Sequence, residues 1–436
     1  MSEETTMPDV SDAQNTWVVE VLGFDPAGGG GDEEGGEPGR KSQKRFKGKK
    51  NSPDGRPQVK GVPMGLLPDS KLKADLQTLM DQAAALKKIG FDTTQMLADA
   101  ADFGSAAVKA ANSPDPKRAK SKLDAIAKRV KEAVEHAQAL AKSVKDIMGD
   151  KSGKPAPDQK SAIYKKALED LYGLKIDVPE GMTNTHFDKV FDMFGTVPKG
   201  DVKQEQLKSL TYSKKKSDAG GGAYGGADIE MGDFGDAKKV EEYEINGKKV
   251  PANSFNVTTL HEIGHSVDER DKVMDAHQGK AGCGGWKRES LTTTALAFVT
   301  ELKASVKLKK AVSDKDLTQV VGAALKSGTT AKPSSIEDAE WQLILPFLAD
   351  NCLAVKEAAD PWFESSPVEV AGRVFQEAYT GEWWSYTAGA RATTKVNDYQ
   401  WRSPAEWFAE VYAISWLSKK KPPNGVDSAL RPYMWK

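Results

Sequence analysis

At 436 residues the chain is longer than one ordinary domain and long enough to bury a sizeable core. Apolar content of 39 % and charged content of 29 % fit a water-soluble protein with some unstructured chain. The net charge of -1 argues against a globally basic nucleic-acid binder, and no apolar run is long enough to make a transmembrane segment.

Two cysteines, Cys283 and Cys352, do not make a disulfide framework; they read as reduced thiols in a protein made in the cytoplasm, with a bridge after export as the alternative. The first residues lack a basic region followed by an apolar one, so no Sec-type secretory signal is visible.

Residues 1–65 read as a disordered N-terminal arm. Residues 28–39 are mostly Gly, Asp and Glu, and residues 40–60 are a basic run with one acidic residue, Asp54, so neither stretch can bury enough apolar surface to offset the entropy of ordering. Between them and the start, residues 17–24 form a short strand-like apolar segment around Trp17. It either adds a strand to the protein's own sheet or docks on a secretion apparatus or chaperone. The basic run reads as a solvated tail, with no specific nucleic acid implied.

Residues 66–150 carry helical spacing and almost no aromatics. Asp69 or Ser70 caps a first helix that Gly90 ends, a second runs over 93–111, and a third over 116–148 with Leu123, Ile126, Val130, Val134 and Ala137 as its stripe. Joined by short turns, they make an all-α three-helix bundle, with His136 expected on its surface. A linker at 151–157 opens a second region, 151–436. There the spacing predicts helices over 161–174 and 186–194, with His186 not expected to be a ligand. Residues 219–226, rich in glycine around Tyr224, lack a Walker lysine and read as a mobile loop at a site's rim. Residues 240–250 give a hairpin signal turning at Asn246 and Gly247.

Next comes His261-Glu262-Ile263-Gly264-His265, on a segment whose apolar stripe is Val257, Leu260, Gly264 and Val267. Residues four apart on a helix share a face, so His261 and His265 can offer two imidazoles to one zinc ion. Glu262 is turned about 100° from His261, where a carboxylate can take a proton from water that the metal has acidified. The alternative is a surface helix that merely carries two histidines.

A catalytic zinc usually takes a third protein ligand. Asp268 and Asp271 stand where a metzincin would carry its glycine and third histidine, and nothing in the spacing of His277 recommends it. Further on, helical spacing is expected over 290–306, 314–325 and 336–358. Residues 381–386 form an aromatic cluster in a turn-rich stretch, whose Trp383 and Trp384 either line a groove or pack. Then Ser403-Pro404 starts a helix bearing Glu406 and Glu410 on one face, packed by Trp407, Val411 and Ile414. One glutamate can bind zinc while the next orients a ligand histidine. Equally, Ser403-x-x-Glu406 spells a capping box, in which Glu406 only returns to the backbone of Ser403.

Together, His261 to Asp268 and Glu406-Trp407-Phe408-Ala409-Glu410 resemble the catalytic domain of anthrax lethal factor-type zinc metallopeptidases, over about residues 160–270 and 395–418. The resemblance implies an α+β, zincin-like catalytic domain with a small sheet and an active-site helix. It implies His261, His265 and Glu406 as ligands of one catalytic zinc, Glu262 as general base, Tyr399 as the oxyanion-side group, and Glu410 as the carboxylate behind a ligand histidine. The gap between His265 and Glu406 implies a helical insertion at about 287–395, and Trp407 replaces the family's usual phenylalanine. The expected activity is endopeptidase cleavage of a protein or peptide substrate by a bacterial toxin or effector, secreted or injected by a non-Sec route. The alternatives are a non-proteolytic zinc hydrolase of cell-wall peptides and a zinc-braced binding protein.

Overall fold

The computed structural model describes residues 62–67, 69–149, 153–177, 182–212, 222–232, 240–245, 248–353, 355, 368–379, 381–393, 396–397, 399–418 and 425–435. Readings placed on residues 1–61, including the apolar segment at 17–24 and the basic run, lie outside them. So does the turn at Asn246 and Gly247. The chain divides into two compact units, Met1–Ala141 with Ser152–Lys154, and Lys142–Lys151 with Pro155–Lys436.

In the first unit, α1 (Ser70–Lys88) starts where Asp69 accepts a hydrogen bond from the Leu72 amide at 2.8 Å, and Gly90 follows its end at φ 94°. Helices α2 (Thr94–Ala111) and α3 (Pro116–Met148) fall close to the expected ranges. Their core is Leu76, Leu79, Ala83, Ala100, Phe103, Ala107, Val130 and Leu140. His136 is buried in α3 rather than on the surface. A side chain on Gly104 would stand 2.5 Å from Val62 Cγ1 and 3.1 Å from Pro63 Cδ, so Val62 and Pro63 pack on α2. The division between the two units falls after Ala141, inside α3. Nothing in α3 interrupts the helix there, and its last turns place Lys142 and Asp146 in ion pairs with Asp170 and Lys166 of the second unit.

The second unit is mixed α+β. After α4 (Pro157–Tyr172), β1 (Lys175–Asp177) and α5 (Asn184–Thr196) come β2 (Ser209–Tyr212), β3 (Gly222–Gly225) and β4 (Asp228–Met231). These four strands make one sheet in the order β1-β2-β4-β3, parallel except for β3. The described part of the glycine-rich stretch is therefore strand over Gly222–Gly225, at the edge of this sheet among the described residues. Gly226 and Ala227, both at positive φ (60° and 66°), close the tight β3–β4 hairpin. Strands β5 (Val240–Ile245) and β6 (Lys248–Asn253) form the expected hairpin and lead straight into α6 (Ser254–Asp271).

Helix α6 begins where Asn253 accepts from the Asn256 amide at 3.1 Å. It is buried almost all round, with Phe255, Val257, Leu260, Ile263 and Val267 in the core, so it is a central element rather than an amphipathic surface helix. Phe255 meets His186 of α5 at 5.1 Å between ring centroids, and His186 Nδ1 accepts from the Thr183 amide, so His186 packs and caps.

The stretch at 287–395, expected as a helical insertion, holds more than helices. It does hold α7 (Leu291–Ser305), α8 (Asp314–Ser327) and α9 (Asp338–Phe347), the last continued by a π-helical run Leu348–Leu353. It also holds β7 (Lys287–Glu289), β8 (Glu369–Val370), β9 (Arg373–Tyr379) and β10 (Glu382–Thr387), an antiparallel sheet in the order β7-β10-β9-β8. A separate core of Phe298, Leu302, Val321, Ile344, Leu348 and Phe375 joins those helices to the sheet. The aromatic cluster is strand β10. Trp383 belongs to this core, and Trp384 is buried with Arg288 over its ring at 5.7 Å, so both pack. Cys352 also sits in that core, and Cys283 lies in a turn elsewhere. Both are buried free thiols, not a bridge, and burial pushes each up to about 12.

After α10 (Ala388–Thr393) and a 3-10 turn at Tyr399–Trp401, helix α11 (Pro404–Ser418) crosses α6. Among the described residues no helix is long and apolar enough to cross a membrane.

Candidate metal centre

The site forms where α6 and α11 cross. His261 and His265 point from α6, and Glu406 reaches in from the first turn of α11. His261 Nε2 is 2.9 Å and His265 Nε2 3.2 Å from Glu406 Oε2, and the two ring nitrogens stand 3.0 Å apart. Ligand atoms of these three residues all lie within 4.8 Å of one another.

The two readings of Ser403-x-x-Glu406 separate here. The Glu406 amide donates to Ser403 Oγ at 3.1 Å, so serine caps α11. The Glu406 carboxylate turns to the histidines instead of returning to the cap. One residue thus serves both patterns, the backbone as capped donor and the side chain as candidate ligand.

Glu410, one turn on, stands behind His261, with Oε1 3.1 Å from Nδ1. That contact is close but poorly aligned for a hydrogen bond, which leaves Nδ1 without a well-formed partner. Asn397 Nδ2 donates to the other oxygen of Glu410 at 2.8 Å and holds the carboxylate in place. Tyr399 stands near the pair, its ring 5.9 Å from that of His261, and its hydroxyl donates to Glu406 Oε1 at 3.1 Å. Glu262 is buried, and its Oε1 lies where a side chain on Gly222 of β3 would come within 2.7 Å.

The electrostatics follow from this crowding. Burial opposes charge on His261, but the Glu406 hydrogen bond and the close carboxylates of Glu410 and Glu262 outweigh it and hold its pKa well above the ordinary value. Burial likewise disfavours charge on Glu406, yet His261 and His265 hold it far below the usual carboxylate range. Burial, then the Glu406 charge, raises Tyr399, with Arg402 opposing.

Two ring nitrogens and a carboxylate oxygen facing one another can share the histidines' N–H protons or surround a cation. Ligand atoms on a tetrahedral zinc with bonds of 2.0 to 2.1 Å stand about 3.3 Å apart. The separations of 2.9, 3.0 and 3.2 Å come close to that, and the donor set suits the metal.

The other ligand candidates are not brought in. Asp268 Oδ1 accepts from the Met274 amide at 2.9 Å, and His277 Nδ1 faces the Val273 carbonyl at 2.7 Å. Neither belongs to the cluster. Sequence reasoning passed over Asn397, and it placed Gly222 and Tyr224 only in a loop at a site's rim; the Tyr224 ring lies 6.4 Å from that of His265 and nearly parallel to it. Gly264 carried a signal, since a glycine inside a helical pattern marks a close approach. A side chain there would stand 2.9 Å from Ala409 Cα on α11.

No protein-family model matches the chain, and neither a curated protein nor a solved structure is similar to it.

Proposed function

We propose that the chain is a zinc-dependent endopeptidase of protein or peptide substrates, with His261, His265 and Glu406 holding one zinc ion. The observation that carries this reading is the turn of the Glu406 carboxylate into the histidine pair, away from its own helix cap. The likeness to lethal factor-type peptidases, and with it a zincin-like fold and a role as an exported toxin or effector, rests on the two motifs and on Tyr399.

Bound there, zinc would polarise a scissile carbonyl and acidify water. The chain's own groups would do the rest. Glu262, one residue past His261, would accept the water's proton and pass it to the leaving amine. Tyr399 would release Glu406 Oε1 and donate its hydroxyl to the developing oxyanion. Glu410, held by Asn397, would keep His261 in one orientation. Strand β3 supplies the support an extended substrate needs. It is the edge of its sheet among the described residues, and it packs on α6 beside Glu262. That edge favours a peptidase over a hydrolase of small cell-wall peptides. The commitments of Asp268 and His277 elsewhere disfavour a closed, merely bracing metal site.

The test is incubation of zinc-loaded protein with a diverse peptide library, new termini being mapped by mass spectrometry beside Glu262→Gln. Cuts by the parent that vanish in a variant still holding one zinc are expected. No cuts from either protein, with one zinc in both, would overturn the reading.

A further inference from the structure

Among the described residues, a buried glutamine joins the sheet of β7 to β10 to the turn beside the candidate centre. Gln376 lies on β9, paired across the sheet with Trp384 of β10, and is 8 % exposed. Its Nε2 donates to two consecutive carbonyls, Trp401 O at 2.8 Å and Arg402 O at 2.5 Å. Those carbonyls belong to the turn that carries Tyr399, which the Arg402 amide closes by donating to Tyr399 O at 3.0 Å. Burying an amide side chain is costly unless it is hydrogen-bonded, and here both donations go to this one turn.

A second, apolar contact reinforces the first. The Trp401 ring packs on Tyr386 of β10 at 4.7 Å and on Trp286 at 6.2 Å between centroids. Arg373 of β9 in turn ties the Trp286 loop to β10, donating to Gly285 O at 2.8 Å and to Ser385 Oγ at 2.9 Å. On its other side the turn is fixed by Asn397, whose Oδ1 accepts from the Gln400 amide at 2.9 Å while its Nδ2 holds Glu410. The Tyr399 turn is thus clamped between the metal helices and the insertion's sheet.

We propose that the β7–β10 sheet is the positioning element for Tyr399, with Gln376 as its positioning residue. The insertion is then part of the reaction apparatus and not a surface addition. The role of Tyr399 rests on the peptidase reading above; the placement of its ring does not. Gln376 touches no reacting atom and acts only by setting where the Tyr399 hydroxyl stands. A misplacement of about 1 Å can cost on the order of 100-fold in rate.

The experiment is a double-mutant cycle on the full chain with Gln376→Met, which keeps the side chain's length and removes its donors, and Tyr399→Phe. Gln376→Ala serves as a second variant, and melting temperatures confirm that each folds. For Gln376→Met, kcat is expected to fall on the order of 10- to 100-fold, with KM within about twofold and zinc stoichiometry unchanged. In the Tyr399→Phe background the same change should cost nothing further. The same factor lost again in that background would overturn the proposal.

An independent readout is the 13Cζ NMR signal of Tyr399 in tyrosine-labelled protein, assigned by its disappearance in Tyr399→Phe. It should move in Gln376→Met, and an unmoved signal would overturn the proposal whether or not peptides are cleaved. A parent that cuts no peptide while its Tyr399 signal moves would sink the peptidase reading and leave the positioning intact.

Discussion

Gly264→Ala puts the crossing of α6 and α11 to the test. His261 and His265 flank Gly264 on α6, and Glu406 stands three residues before Ala409 on α11. The added Cβ would stand 2.9 Å from Ala409 Cα and 3.3 Å from Tyr412 Cβ. Ordinary carbon contacts are about 3.5 to 4.0 Å, so the helices must part by roughly 0.6 Å or more. The nearest atom is backbone, so no rotamer change relieves the clash. Two energies oppose each other: alanine gains about 1 kcal/mol of helix propensity, and overpacking costs about 1 to 3 kcal/mol. The metal-free protein should therefore lose up to about 2 kcal/mol and stay folded. Metal sites tolerate only about 0.5 Å of misplacement, so zinc affinity should fall by on the order of 10- to 100-fold. Competition with a chromophoric chelator measures this, with circular dichroism confirming the fold. Ala409→Gly should not restore affinity, because its Cα remains. A folded Gly264→Ala protein binding zinc as tightly as the parent would refute the idea that this crossing sets the ligand spacing.

Two further changes probe the surroundings of the site. Gly222→Ala places a methyl 2.7 Å from Glu262 Oε1 and from Thr258 Cγ2; displacing the carboxylate should cut kcat by on the order of 10- to 100-fold with zinc content unchanged, and unchanged kcat would show that β3 does not hold Glu262. Asp268 is raised from 3.8 to about 6, chiefly by burial, against the pull of the Met274 amide and His265. With the folded value above the unfolded one, the stability contributed by the protonated form is fully present below about pH 3.8 and is lost as pH rises through about 6. In chelated protein, Asp268→Asn should therefore gain on the parent between pH 4 and 6 and hold a level lead above, of up to about 3 kcal/mol at 1.36 kcal/mol per unit. Urea denaturation at pH 4, 6 and 8 measures the gap, and a gap constant across the series would count against a buried, costly carboxylate.

Much of this arrangement is legible in the sequence because it depends on local spacing. His261 and His265 are four apart, Ser403 and Pro404 start a helix, and Glu406 and Glu410 share its face. What stayed ambiguous was the purpose of Glu406, since a capping box and a ligand helix use the same four positions. Only the approach of α6 shows that the Glu406 carboxylate meets His261 and His265 rather than its own cap. Strand β3 was hidden for a different reason: Gly222-Ala223-Tyr224-Gly225 has neither branched residues nor alternation, and it is a strand because β4 pairs with it. In β10 the alternation is missing because Trp383 to Tyr386 are buried on both faces. The long gap between His265 and Glu406 could be read, but the sheet inside it could not, because β7 and β10 lie nearly a hundred residues apart.

The pairing of β7 with β10 also bears on how the chain reaches its folded state. His265 and Glu406 are 141 residues apart, and closing a flexible loop of that length costs about 4.4 kcal/mol beyond a constant. Once the insertion has folded on its own core, Glu289 lies opposite Trp383, and the open span shrinks. About 50 residues then remain to be closed, at about 3.5 kcal/mol. The pairing of β7 with β10 therefore shortens the chain that must be closed to bring His265 and Glu406 together.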